Sequence, residues 1–141
     1  MTPEQHIQKA TRITQALSKL TLSDYEMVIE STMLAGSHWV NAALHRCGVT
    51  YYDEDAMHVE YLPLATRTKI SLIIPGLLEG IEQIEQYRPM YVRGNAEGGE
   101  PVARRCIQLL DGLQKVAYTA ERVRGLSTYS ISPKGVVRAP A

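Results

Sequence analysis

Apolar residues recur every three or four positions in four separate stretches of this chain, and each stretch predicts a helix. In the first, Ile7, Ala10, Ile13, Leu17 and Leu20 keep the helical spacing. Thr2, Pro3, Glu4 and Gln5 read as its start, a capping hydroxyl followed by proline at the first helical position. The second stretch, Ser23 to Cys47, predicts one helix of about 24 residues, roughly 36 Å at 1.5 Å per residue. Ser23 and Glu26 have the spacing of a capping box, and Arg46 followed by Gly48 marks the end. Tyr25, Val28, Ile29, Thr32, Ala35, Gly36, Trp39, Val40, Ala43 and Cys47 form one apolar face. Met27, Leu34, Ala42, His38 and His45 form an adjoining one. A helix apolar around most of its circumference is surrounded by neighbours. Gly36 costs about 0.5–1 kcal/mol inside a helix relative to Ala, and so implies close approach of another helix.

The third stretch runs from Leu64 to Arg88 through Ile70, Ile73, Ile74, Leu77, Leu78, Ile81 and Ile84, with Glu79, Glu82 and Glu85 on the wet side. Pro75 interrupts it, at a cost of about 3 kcal/mol inside a helix. Because the apolar spacing carries across the proline, the expectation is a single third helix kinked near Pro75. Pro101 opens the fourth helix, to about Arg124, with Val102, Cys106, Leu109, Leu110, Leu113, Val116, Ala117, Ala120 and Val123 on its buried stripe and Gly125 at its end. Gly48 to Pro63 reads as a connection with one or two helical turns, and Pro89 to Glu100 as a glycine-containing loop. No repeat and no strand-forming run stands out. The pattern therefore predicts an all-α, up-and-down four-helix bundle as a single domain over 1–125, with a loosely structured C-terminal tail over 126–141.

Composition narrows the function classes. A chain of 141 residues buries a core without disulfides or metal. Fifteen basic against 15 acidic residues leave no global field to draw it to nucleic acid or to an anionic membrane. Cys47 and Cys106 read as reduced core residues of a cytoplasmic protein. The first 20 residues are polar and amphipathic, unlike a signal peptide. The apolar run Ile70 to Leu78 is too short to cross a bilayer.

Three places invite chemistry. His38 and His45 are seven residues apart, about 10 Å along one helix face, too far to share an ion without a third group between them. Asp55 and His58 have the i, i+3 spacing of helical metal ligands. The metal candidates are therefore His38, His45, His58 and Asp55, set against a reading of interface histidines and a solvated acidic turn. His6 reads as a first-turn surface residue without a role. Second, Arg88, Tyr91 and Arg93 lie in or beside a loop leading to a helix N-terminus, and Arg104 and Arg105 follow in its first turn. This array suits an anion or a nucleotide phosphate, set against a surface loop whose arginines pair with Glu79, Glu82 or Glu85. No Lys-Ser or Lys-Thr follows the glycines, so it is not a P-loop. Third, Cys47 and His45 diverge on a helix and no GxSxG is present, which argues against nucleophilic catalysis.

The order of LAGSHWVNAALHRCG, a connector, a third helix and YRPMYVRGNAEGGEPVARRCIQLLDGLQKV resembles the HEPN-like helical bundles over residues 5 to 124. The resemblance implies a homodimer and, in some members, RNA cleavage, nucleotide binding or a nucleotidyltransferase partner. Ribonuclease members carry an Arg followed four to six residues later by His. None of the histidines at 6, 38, 45 and 58 has such an Arg, so no catalytic residue carries over.

Taken together, the sequence predicts a non-catalytic, cytoplasmic helical binding module that self-associates, with a homodimer or another protein as partner, no membrane and no cofactor. The alternatives are a nucleotide- or RNA-phosphate binder using Arg88, Arg93, Arg104 and Arg105, and a metal-binding bundle using His38, His45 and His58.

Overall fold

The computed structural model describes residues 1–56 and 58–120, and the backbone of residues 130–131 and 137–138. Among the described residues are five α-helices: α1 (Pro3–Leu17), α2 (Tyr25–Arg46), α3 (Leu64–Ile73), α4 (Leu77–Arg88) and α5 (Glu100–Thr119). A two-residue antiparallel pair joins Ser130–Ile131 to Val137–Arg138. The rest of the segment expected as a loose tail, with Val123 and Gly125, lies outside the described residues.

Apart from that short pair, the regular structure of the described residues is helical, and α2 is its centre, packed against α1, α4 and α5. Val28, Ile29, Ala35, Trp39, Val40, Ala43 and Cys47 are buried, as their spacing requires. The adjoining face divides. Ala42 and His45 are buried, while Met27 and Leu34 are exposed, at 57% and 52%. Gly36 faces both α4 and α5: a Cβ there would sit 2.8 Å from Ile81 Cδ1 and 3.1 Å from Leu113 Cδ1.

Helix ends follow local chemistry, with three departures from expectation. At α1, Thr2 Oγ1 accepts from Gln5 N–H (3.2 Å) and Gln5 Oε1 accepts from Thr2 N–H (2.9 Å), a complete capping box. At α2 the expected box of Ser23 and Glu26 does not form. A 3-10 turn, Leu22–Asp24, precedes the helix, and Asp24 Oδ2 accepts from Thr21 N–H at 2.9 Å. Asp24 wins because the tight turn brings it under the Thr21 amide. Second, the expected kinked third helix is two helices. Pro75 pushes Ile74 out of helical geometry (φ −130°, ψ 77°), and Gly76 takes a left-handed conformation (φ 85°), so the chain turns instead of bending. Third, α5 stops at Thr119, earlier than Arg124, with Ala120 extended. The segment expected as a loop after α4 begins with a π-helical turn, Pro89–Arg93.

Candidate metal centre

Four segments bring their polar side chains to one place. On α1, His6 shares the inward face with Pro3, Ala10 and Leu17, and is 1% exposed. On α2, His38, Asn41 and His45 are spaced by three and four residues and share one side of the helix. The end of α2 then reverses the chain. Gly48 is left-handed (φ 73°), its N–H donates to His45 O (3.1 Å), and Val49 N–H donates to Leu44 O (2.9 Å). That reversal returns Thr50 to the last turn of the helix, where Thr50 Oγ1 lies 2.6 Å from His45 Nδ1. Five residues on, Asp55 reaches between the two helices. Its Oδ1 is 2.8 Å from His6 Nε2 and 2.9 Å from His45 Nε2.

His6 fills the gap between the two histidines of α2. Its ring centroid is 5.2 Å from that of His38 and 5.2 Å from that of His45. His6 Nδ1 and His38 Nδ1 are hydrogen-bonded at 2.9 Å. The third group that the seven-residue spacing demands therefore exists, and it comes from α1. The Tyr52 ring meets His45 edge-on at 5.6 Å.

The electrostatics of the group are set by burial around one carboxylate. Burial lowers the pKa of His6 and of His45, and their hydrogen bonds to Asp55 only partly offset it. His38 is lowered to about 4, first by burial and then by its neighbours His6 and Lys9. Burial by itself would raise Asp55, but the hydrogen bonds from His45 and His6 outweigh it and hold the carboxyl below its ordinary range. At neutral pH the site is thus an ionised carboxylate among neutral imidazoles, with the Met1 amino group 3.4 Å from Asp55 Oδ1 on the exposed side. A carboxylate only accepts, so His6 Nε2 and His45 Nε2 both carry the proton, and their Nδ1 atoms accept from His38 and Thr50.

An ionised carboxylate and neutral imidazoles are the ionisation states of metal ligands, although the two Nε2 atoms here carry the protons that a metal ion would require on Nδ1. His6, His45 and Asp55 each offer one ligand atom, all within 4.8 Å of one another. Of the residues singled out from sequence, His45 and Asp55 belong to this group, and His38 touches it through His6. His58 does not: it is 52% exposed, 3.9 Å from Glu60 and edge-on to Tyr61. The spacing of Asp55 and His58 requires a helix, and residue 55 lies in an irregular turn.

Of the arginine array, Arg88 and Arg105 are engaged by neighbouring side chains. Arg88 binds Glu30 through two hydrogen bonds (2.8 and 3.0 Å) and Glu85 through two more (3.0 and 2.9 Å), so a phosphate would have to displace two carboxylates. Arg105 donates to Gln83 at 3.1 Å, while Arg93 and Arg104 are exposed. Tyr91 meets Tyr25 edge-on, and Tyr25 OH donates to Ala96 O at 3.2 Å. The Tyr25 ring lies against Gly99, leaving no room there for a Cβ and covering the start of α5.

Three members of the centre go beyond the residues proposed from sequence: His6, Asn41 and Thr50. His6 has a readable signal, because it falls four residues before Ala10 and seven before Ile13, on the apolar stripe of α1. Asn41 and Thr50 have none, since their roles depend on the path of the loop. No family model, curated protein or solved structure matches the chain.

Proposed function

We propose that the protein is a metal-binding helical domain that holds one divalent ion between His6 Nε2, His45 Nε2 and Asp55 Oδ1. The observation that carries this reading is the convergence of three ligand atoms, from α1, α2 and the following loop, within 4.8 Å. Two imidazole nitrogens and one carboxylate oxygen suit a first-row ion such as zinc, cobalt, nickel or ferrous iron. Calcium and magnesium prefer all-oxygen shells. Metal–ligand bonds of about 2.0–2.2 Å would set neighbouring ligands roughly 3.3 Å apart around a tetrahedral ion. The hydrogen-bonded pairs stand at 2.8 and 2.9 Å, so loading spreads them by a few tenths of an ångström. Three protein ligands leave a fourth position for water or an exogenous group. Asp55 is 25% exposed while both histidines are buried, so an ion would enter from the Asp55 side, displacing the Met1 amino group that lies 3.4 Å from Oδ1.

The test is metal analysis of protein purified without chelator, followed by titration of the stripped protein with cobalt and zinc. One ion per chain in wild type and none in Asp55→Ala or His45→Ala is the expected result. A stripped wild-type protein that takes up neither ion at micromolar concentration ends this reading. The cluster would then be a hydrogen-bonded polar core.

A second reading, self-association of a cytoplasmic four-helix bundle made of α1, α2, α4 and α5, draws on the exposure of Met27 and Leu34. They lie two turns apart on α2, and Leu34 is one turn from His38. Light scattering would give a dimer for wild type and a monomer for Met27→Lys/Leu34→Lys. A monomeric wild type at high concentration rejects it.

A further inference from the structure

We infer that His38 and Thr50 are outer positioning residues that hold His6 and His45 with Nε2 toward Asp55, and that metal loading reverses both outer hydrogen bonds. This rests on the metal-binding reading above. The warrant is that each proposed ligand histidine has its second ring nitrogen already engaged. His6 Nδ1 is 2.9 Å from His38 Nδ1, and His45 Nδ1 is 2.6 Å from Thr50 Oγ1. An imidazole held at both nitrogens cannot flip or slide, which is how outer partners orient metal-binding histidines.

The chemistry of the two partners fits a site that must be stable both empty and loaded. With Asp55 Oδ1 accepting from both Nε2–H groups, His38 Nδ1–H and the Thr50 hydroxyl are the outer donors. A bound ion needs the Nε2 lone pairs. Each ligand ring then carries its one proton on Nδ1 and becomes the outer donor. Thr50 meets this by rotating its hydroxyl and accepting. His38 meets it by carrying its proton on Nε2 instead of Nδ1, exchanging through solvent at its partly exposed edge. Every ring keeps one proton throughout, so the protons balance and none is released by the tautomer change. A group that only donates or only accepts would oppose one of the two states. A hydroxyl and a neutral imidazole can each do both.

The test combines metal titration with nitrogen NMR of the imidazoles. Thr50→Val and His38→Leu remove the polar atom with little change in size, and Thr50→Ser and His38→Asn restore a group that can donate or accept. The first two should weaken cobalt or zinc binding about 10–100-fold, and the second two should bind nearly as wild type. In stripped wild type, His6 and His45 should carry hydrogen on Nε2 and His38 on Nδ1. Zinc should move the proton to Nδ1 in His6 and His45. Equal affinity of Thr50→Val and His38→Leu with wild type overturns the inference, as does a loaded wild type with unchanged tautomers. Failure of the metal reading looks different: wild type takes up no ion while showing the stated tautomers. That result rejects the reversal, and mixed His45 tautomers in Thr50→Val would then support the holding role alone.

Discussion

Asn41 clasps both backbone polar groups of Ala56: its Oδ1 accepts from Ala56 N–H at 2.7 Å and its Nδ2 donates to Ala56 O at 2.9 Å. Nδ2 also donates to Ser37 O at 2.9 Å. One amide side chain, one turn from His45 on α2, thus pins the residue next to Asp55. Removing it in Asn41→Ala strands a buried N–H and a buried carbonyl, at about 2–3 kcal/mol. Urea unfolding should show that loss, with metal affinity falling alongside it because Asp55 is no longer held. Asn41→Asp keeps the acceptor and loses the donor, so metal-free stability should fall less. A loss below about 0.5 kcal/mol in Asn41→Ala would mean that the loop has other anchors.

Acid should destabilise the metal-free protein earlier than carboxylate titration would. The pKa values of His6, His38 and His45 are all lowered by burial in the folded chain, that of His38 to about 4. Below about pH 6.5 the unfolded chain therefore binds more protons than the folded one, and stability falls as pH falls toward the folded-state values. Each buried neutral histidine contributes a slope of up to about 1.4 kcal/mol per pH unit in that window. Asp55, whose pKa is lowered chiefly by its histidine hydrogen bonds against the effect of burial, adds a loss of the same sign below about pH 3.8. Urea midpoints measured with chelator should be flat above pH 7 and decline from pH 6.5 downward. His45→Asn should give a shallower decline, and a wild-type profile flat to pH 5 would contradict the burial argument.

Gly36 limits what α2 can carry at its crossing with α4 and α5. The nearest atoms to a Cβ are the terminal methyls of Ile81 and Leu113, both in the core. Gly36→Val should destabilise by about 1–3 kcal/mol through overpacking. Gly36→Ala should cost less, because the gain in helix propensity offsets part of the strain. Paired thermal melts of the two variants decide this, and a valine variant as stable as the alanine one would refute the close packing.

The ion pairs at Arg88 are half-wet, since Arg88 is 20% exposed, Glu85 21% and Glu30 41%. Screening leaves Arg88→Met a loss of roughly 1 kcal/mol, smaller in high salt. Unfolding at low and high ionic strength measures both parts. A loss unaffected by salt would assign the effect to packing of the arginine stem.

What the sequence determined was the local and the periodic. The stripe of α2, the Thr2 cap, the Gly48 stop and the need for close approach at Gly36 depend on helical spacing and on conformations open only to certain residues. These are properties of a few neighbouring positions. Where two local signals competed, spacing alone could not rank them. Apolar periodicity across Pro75 pointed to one kinked helix, but the steric demand of proline on Ile74 ended the first helix there. Ser23 and Glu26 had the spacing of a capping box, but the tight turn Leu22–Asp24 gave the Thr21 amide to Asp24 instead. Tertiary structure decided the centre. His45 and Asp55 were legible as metal-ligand types, and the spacing of His38 and His45 called for an intervening group. That His6 supplies it depends on how α1 lies along α2, and the places of Thr50 and Asn41 depend on the loop that doubles back after Gly48. The cluster joins atoms from residues as far as 49 positions apart, and no local periodicity encodes the packing that brings them within reach.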